Sequence, residues 1–84
     1  MSRVTFNSGK VRIYTLEVCP NCHQLKEMLD DYGIPYDDVD MQAPEWITEM
    51  RVNGCFEMEA PVLQVGEDEF WNFITARERI AELR

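Results

Sequence analysis

The sequence has few cysteines, few basic residues and no long apolar run, and each shortage argues against a class of protein. Three of the 84 residues are cysteine, an odd number that does not fit the disulfide framework of a secreted scaffold. Lysine and arginine total 8 against 16 acidic residues, and the formal net charge of -8 makes nucleic acid an unsuitable partner. No apolar run approaches the ~20 residues of a membrane helix, and we expect no signal peptide. We therefore expect a protein of the reducing cytoplasm with no membrane partner.

The composition is that of one small globular domain. Hydrophobic residues make up 45% of the chain, an ordinary share for a folded protein. A chain of this length can bury one small core. We predict a single domain over residues 1–84, in which residues 1–9 form a tail or an accessory strand.

Strand-like and helix-like patterns alternate along the chain. Apolar, β-branched and aromatic residues predict strands at 11–15, 36–40, 62–65 and 69–71. Helical spacing predicts helices that begin at Asn21, Pro44 and Thr75, the last with a capping box formed by Thr75 and Glu78. The order β-α-β-α-β-β-α predicts an α/β fold, in which a parallel β-α-β unit and an antiparallel hairpin around Gly66 share a mixed four-stranded sheet. We expect the three helices to flank this sheet on both faces.

The pattern that carries chemistry is Cys19-Pro20-Asn21-Cys22, where the first predicted strand leads into the first helix. Two thiols three positions apart in a first helical turn can form a disulfide with little backbone movement. The positive end of the helix dipole favours a thiolate at Cys19. Cys22 follows one turn later, and we expect it to be the more buried of the two.

Other functions use some of the same residues. Cys19, Cys22 and His23 match the C-x-x-C-H motif of haem attachment, but four predicted strands do not fit the mostly helical domains that carry it. Zinc would need four ligands, and the chain offers at most Cys19, Cys22, His23 and Cys55, two of which are adjacent. We therefore predict no metal site and no permanently bound cofactor. A redox-inactive domain that holds a partner strand in a groove stays open as an alternative.

Two segments resemble a known family. Residues 14–22 are similar to the stretch that leads into C-P-Y-C in glutaredoxins, and Ala60-Pro61-Val62 is similar to their cis-proline segment. With the order of elements, nearly the whole chain after residue 10 resembles the glutaredoxin form of the thioredoxin fold. The resemblance implies a monomeric dithiol oxidoreductase that carries electrons to disulfides in protein substrates. In that chemistry Cys19 attacks the substrate, and Cys22 resolves the mixed disulfide.

The resemblance also implies residues that contact a substrate or glutathione. Pro20 and Asn21 would lie beside the nucleophile, and Pro61 would press against the dithiol from the facing loop. The backbone of Ala60 would pair with a substrate strand or with glutathione. We add Trp71, which ends the last predicted strand and would lie near the dithiol's end of the sheet, and Thr75, which follows that strand.

The electron donor is open between glutathione and a reductase protein of the thioredoxin-reductase type. Where glutaredoxins have a glycine-rich turn and an acidic residue, this chain has residues 70–74, Phe-Trp-Asn-Phe-Ile. These are partly similar to the W-S-G-F stretch of NrdH-redoxins, which take electrons from thioredoxin reductase and pass them to ribonucleotide reductase. We favour this use over glutathione. The candidate anion contacts for glutathione are Lys10, Arg12, Lys26 and the amides of Thr75 and Ala76.

Overall fold

Strands and helices follow one another as the sequence predicts. The computed structural model describes residues 11–66 and 69–83, so the predicted tail at 1–9 and the tip of the hairpin lie outside the described residues. The strands are β1 (Val11–Thr15), β2 (Asp37–Asp40), β3 (Val62–Val65) and β4 (Glu69–Trp71). The helices are α1 (Pro20–Asp31), α2 (Pro44–Val52) and α3 (Phe73–Arg79), and a 3-10 turn (Ile80–Leu83) continues α3.

The four strands form one mixed sheet in the order β2-β1-β3-β4. β1 and β2 are parallel, and this pairing requires a crossover, which α1 supplies. β1 pairs with β3, and β3 with β4, in antiparallel orientation, so the predicted hairpin and mixed sheet are confirmed. In the register of β1 and β3, Tyr14 lies opposite Val62. The residue before β3 is therefore brought to the end of β1.

Helices cover both faces of the sheet, as predicted. Because side chains alternate along a strand, Ile13 and Leu63 lie on one face, while Tyr14 and Val62 lie on the other. The face with α1 and α3 has a core of Val11, Ile13, Leu25, Leu29, Ile34, Leu63, Trp71, Ala76 and Ile80. The core under α2 consists of Tyr14, Met41, Met50, Cys55 and Val62. Fully burying a large apolar side chain stabilises a fold by roughly 1.5–3 kcal/mol, so these two clusters hold the three layers together.

Helix α1 ends at the predicted glycine. Gly33 has a φ of 69°, a conformation that a residue with a Cβ rarely adopts. The turn allows the amide of Ile34 to donate a hydrogen bond to the carbonyl of Leu29 at 2.9 Å, which pairs one of the last carbonyls of the helix. Pro35 cannot continue the helix. The chain therefore leaves α1 directly toward β2.

Helix α3 begins two residues earlier than predicted. Its first residue is Phe73, and the side chain of Asn72 accepts a hydrogen bond from the amide of Thr75 at 2.8 Å. The predicted capping box of Thr75 and Glu78 is therefore wrong, because Asn72 already fills the N-cap position. Asparagine caps helices at least as well as threonine, and it comes first in the chain after β4.

The cap gives a test of this helix boundary. We expect Asn72→Ala to lower the free energy of unfolding by about 1 kcal/mol, because the Thr75 amide loses its acceptor. Urea titration of the oxidised protein measures the loss as a lower midpoint with an unchanged slope. The matched variant Thr75→Ala keeps the cap and should cost less. A larger loss in Thr75→Ala than in Asn72→Ala would contradict the assignment.

Cys55 gives a second test, of the core under α2. This thiol is 7% exposed and forms no disulfide, and its burial raises the pKa of the thiol. The folded protein therefore keeps this proton to a higher pH than the unfolded chain, where a thiol has a pKa of about 8.5. Stability from this group is complete below that pH and is lost as pH rises toward the folded pKa.

We therefore expect the free energy of unfolding to fall between about pH 7 and about pH 9.5, and to fall less in Cys55→Ala. The protein is kept oxidised during the urea titrations, so that Cys19 and Cys22 do not titrate in either state. Cys55→Ala also leaves a cavity, but a cavity lowers stability equally at both values of pH. An equal pH-dependent loss in both proteins would exclude this role for Cys55.

Candidate active site

Cys19 and Cys22 are joined by a disulfide at the start of α1. Their Cα atoms lie 5.2 Å apart, within the range usual for disulfides. Cys19 is the N-cap of α1, which begins at Pro20, one residue earlier than predicted. The amide of Cys22 donates a hydrogen bond of 3.0 Å to Sγ of Cys19. Pro20 occupies the first helical position. A residue at this position donates no hydrogen bond within the helix, so the missing N–H of proline costs no backbone hydrogen bond.

The two sulfurs differ in exposure. Cys19 is half-buried, whereas Cys22 is a buried residue of α1 and is 2% exposed. The predicted difference in burial between the two residues is therefore present. A molecule that approaches from solvent meets Cys19 first.

The segment Ala60-Pro61 lies beside this disulfide. Its peptide bond is cis, Pro61 is fully buried and Ala60 is half-buried. The segment reaches the site because Tyr14 pairs with Val62, which places the residue before β3 next to the end of β1. Residues about forty positions apart in the sequence thus meet through strand register.

Two grooves lie next to each other at this site and share Asn21, Glu59 and Ala60. The first encloses about 440 Å³ and is lined by Leu16, Val18, Cys19, Pro20, Asn21, Met58, Glu59 and Ala60. The second encloses about 220 Å³ and is lined by Asn21, Glu57, Glu59, Ala60, Pro61, Asn72, Phe73 and Ile74. Six of the predicted site residues are therefore together: Cys22, which is bonded to Cys19, and the lining residues Cys19, Pro20, Asn21, Ala60 and Pro61. Below we call these two hollows the dithiol grooves.

Sequence reasoning missed the rim of the dithiol grooves. Val18, Met58 and Ile74 are large apolar side chains that are 89%, 80% and 66% exposed. Glu57 and Glu59 are exposed carboxylates in the same lining. The sequence signal that could have identified the rim is the position of these residues next to the two motifs, since Val18 precedes Cys19 and Glu59 precedes Ala60. The rim offers apolar contact and negative charge to a docking molecule.

Trp71 lies elsewhere than predicted. It is 4% exposed, belongs to the core under α1 and α3, and lines neither groove. The register pairs it with Leu63, which sets its ring on that face of the sheet. Its Nε1 donates to Oε2 of Glu69 at 2.7 Å, and the guanidinium of Arg79 lies 4.5 Å from the centre of the ring. Trp71 is a core residue in this fold and does not reach a docked molecule.

The amides predicted to bind an anion are already used. The amide of Thr75 donates to the side chain of Asn72, and the amide of Ala76 donates to the carbonyl of Asn72 at 2.8 Å. Thr75 itself is half-buried and lines neither dithiol groove. These groups therefore serve the start of α3 instead of a ligand.

The basic residues predicted as anion contacts are also engaged away from the dithiol grooves. Arg12 is 3% exposed beneath α2, and its guanidinium lies 4.6 Å from the centre of the Trp46 ring, because β1 is a central strand covered on that face. Lys26 pairs with Asp38 at 3.0 Å. Lys10 lies outside the described residues. No lysine or arginine of the described chain lines the dithiol grooves.

The candidate zinc and haem residues are dispersed. Nε2 of His23 is 2.9 Å from Oε1 of Glu27 on the exposed side of α1, while Cys55 is buried beneath α2. Within residues 11–66 and 69–83, no group of three or more histidine, cysteine or acidic side chains is arranged to hold a metal ion. In the same part of the chain, the helices are too short or too polar to cross a membrane.

Comparison with known proteins agrees with this geometry. The family model of glutaredoxins matches residues 11–70. A solved structure of NrdH-redoxin from Escherichia coli, described as a glutaredoxin-like protein with a thioredoxin-like activity profile, superposes with a TM-score of 0.60. The two are 27% identical, and the match covers 74% of this chain and 79% of the other. No curated protein sequence gives a significant match.

The match to the family model extends from β1 through the C-x-x-C motif and the cis-proline segment into β4. Proteins of this kind need no prosthetic group, and they exchange electrons with disulfide substrates and a reductant. The predicted thioredoxin fold is confirmed by the likeness to NrdH-redoxin. The chain belongs to the glutaredoxin family and is a thiol–disulfide oxidoreductase.

Proposed function

We propose that this protein is a dithiol electron carrier of the NrdH-redoxin type. A reductase of the thioredoxin-reductase type, and not glutathione, reduces its disulfide. The observation that carries the proposal is the charge of the dithiol grooves. Their lining contains Glu57 and Glu59 and, among the described residues, no lysine or arginine. Glutathione has more carboxylates than ammonium groups, so this lining repels it. The likeness to an NrdH-redoxin with a thioredoxin-like activity profile points the same way.

The proposed reaction transfers two electrons in two exchange steps. The thiolate of Cys19 attacks one sulfur of the substrate disulfide, that disulfide breaks, and the released sulfur takes up a proton. Cys22, as a thiolate, then attacks Sγ of Cys19. The Cys19–Cys22 disulfide forms, the mixed disulfide breaks and the second substrate thiol leaves. The reductase reverses these steps on the oxidised protein.

The surrounding residues support each step. The amide of Cys22, which contacts Sγ of Cys19 in the disulfide, is placed to stabilise the thiolate of Cys19 after reduction. Pro20, Asn21, Ala60 and Pro61 shape the surface on which the substrate backbone docks. The burial of Cys22 keeps the resolving thiol away from solvent until the mixed disulfide has formed.

We also propose that the protein acts as a monomer in the reducing cytoplasm. Both sulfurs and the cis-proline segment come from one chain, so the site needs no second subunit. Cys55 is a buried free thiol, which suits a reducing compartment. The protein substrates are those whose disulfides can reach the exposed sulfur of Cys19.

The assignment of Cys19 as the attacking residue is tested by alkylation. With the protein fully reduced at mildly acidic pH, we expect iodoacetamide to modify Cys19 at least ~tenfold faster than Cys22 or Cys55, because only Cys19 combines exposure with a stabilised thiolate. Mass spectrometry of peptides measures the three rates. Cys22→Ser keeps Cys19 and should still react quickly. Equal rates at all three cysteines would reject the assigned roles.

The electron donor is tested by two reductants side by side. We expect thioredoxin reductase with NADPH to reduce the oxidised protein at least ~tenfold faster than glutathione with glutathione reductase and NADPH, because the acidic grooves repel glutathione. NADPH consumption with insulin as the final acceptor gives both rates. Cys19→Ser is the control and should be inactive in each assay. Fast reduction by glutathione alone would overturn the NrdH-type proposal.

A further inference from the structure

Two carboxylates precede the cis-proline segment and line the dithiol grooves, and one of them, Glu59, lines the groove that contains Cys19. Glu59 lines both dithiol grooves, and Glu57 lines the groove that contains Pro61. Both residues are exposed, so their charges lie in water at the surface that a substrate must cross to reach Cys19. Glu57 also lines an adjoining cleft that contains Arg51, but Arg51 lines neither dithiol groove.

Several other carboxylates of this fold form ion pairs with basic side chains. Within the described residues, ion pairs engage Glu27, Asp38, Glu49, Glu69 and Glu82. Glu57 and Glu59 take part in none of these pairs of the described chain. The formal net charge of -8 adds to the field they create.

We propose that Glu57 and Glu59 are specificity-determining residues, which make the dithiol select positively charged disulfide substrates. The partner is a polypeptide segment with lysine or arginine next to its disulfide cysteine. Its backbone would lie along the cis-proline segment while its basic side chain lies against the two carboxylates. This inference rests on the proposed attack by Cys19, and it adds the class of substrate.

The two carboxylates act on the approach of a substrate as well as on its docking. A cleft lined with one sign of charge raises the local concentration of oppositely charged molecules and speeds their association. The Debye length is about 10 Å at 0.1 M salt, so two carboxylates in the lining act over the whole width of such a groove. An anionic disulfide meets the same field as a barrier. The preference should therefore appear in the rate of the first exchange step.

The test uses two small disulfides of opposite charge. Cystamine carries ammonium groups and no carboxylate, whereas oxidised glutathione carries an excess of carboxylates. Reduced protein is mixed with each disulfide in the absence of any reductase, samples are quenched with acid, and mass spectrometry measures the formation of the Cys19–Cys22 disulfide. Two product thiols form for each dithiol oxidised. Because no electron donor is present, the result does not depend on which donor reduces the protein's disulfide.

We expect the ratio of the two rates, cystamine over oxidised glutathione, to fall about tenfold in the double variant Glu57→Gln, Glu59→Gln. Comparing ratios removes the intrinsic difference in reactivity between the two disulfides. Asp31→Asn is the matched control, because this exposed carboxylate lies at the far end of α1, about 16 Å along the helix from Pro20. That variant should keep the wild-type ratio. Raising salt from ~0.05 M to ~0.5 M should lower the ratio in the wild type and change it little in the double variant.

A second comparison uses peptides. The wild type should react fastest with disulfide-linked peptides that carry lysine next to the cysteine, more slowly with those that carry glutamine, and slowest with those that carry glutamate. The differences among these three rates should be smaller in the double variant. A ratio within about twofold of wild type in the double variant, or an equal fall in Asp31→Asn, would overturn the inference. Failure of the reduced wild type to react with either disulfide would instead overturn the proposed attack by Cys19.

Discussion

The hydrogen bond from the amide of Cys22 to Sγ of Cys19 is the contact on which the site depends. It pairs one of the amides that the first turn of α1 leaves without an intrahelical acceptor, and it places the outer sulfur at the positive end of the helix dipole. The contact holds only if α1 itself is held, and Leu25 and Leu29 anchor that helix in the core with no exposed surface. The position of the outer sulfur therefore depends on the packing of the twelve-residue helix α1 in the core.

The second half of the site arrives through strand pairing. The antiparallel register of β1 and β3 brings Ala60 and Pro61 to the end of β1, beside the loop that carries Cys19. Substrate then meets a surface built from three separate segments: the dithiol, the cis-proline segment and the start of α3. Apolar side chains at Val18, Met58 and Ile74 form its rim, and the only charged side chains in its described lining are carboxylates. The shape and charge of this surface are the basis of the proposed preference for a polypeptide partner over glutathione.

Local patterns predicted the elements well because each pattern reports a local cause. Gly33 and Pro35 end α1 by backbone restriction, and Pro44 begins α2 because it fits a first helical turn. Predictions about partners of side chains fared less well. Arg12 was a candidate for binding an anion, but it lies under Trp46 because β1 is central and covered by α2. Trp71 was a candidate for docking, but its register opposite Leu63 places it in the core.

The sequence by itself determined the order of elements, the helix and strand boundaries to within two residues, and the pair of sulfurs, since these depend on neighbours three or four positions away. Only the tertiary structure decided what lies around the sulfurs. The start of α3 at Asn72, the burial of Arg12 and Trp71, and the meeting of Glu59 with the dithiol all follow from register and from the face that each helix covers. Strand register and helix placement are determined by the packing of the whole core, which depends on contacts between residues far apart in the sequence.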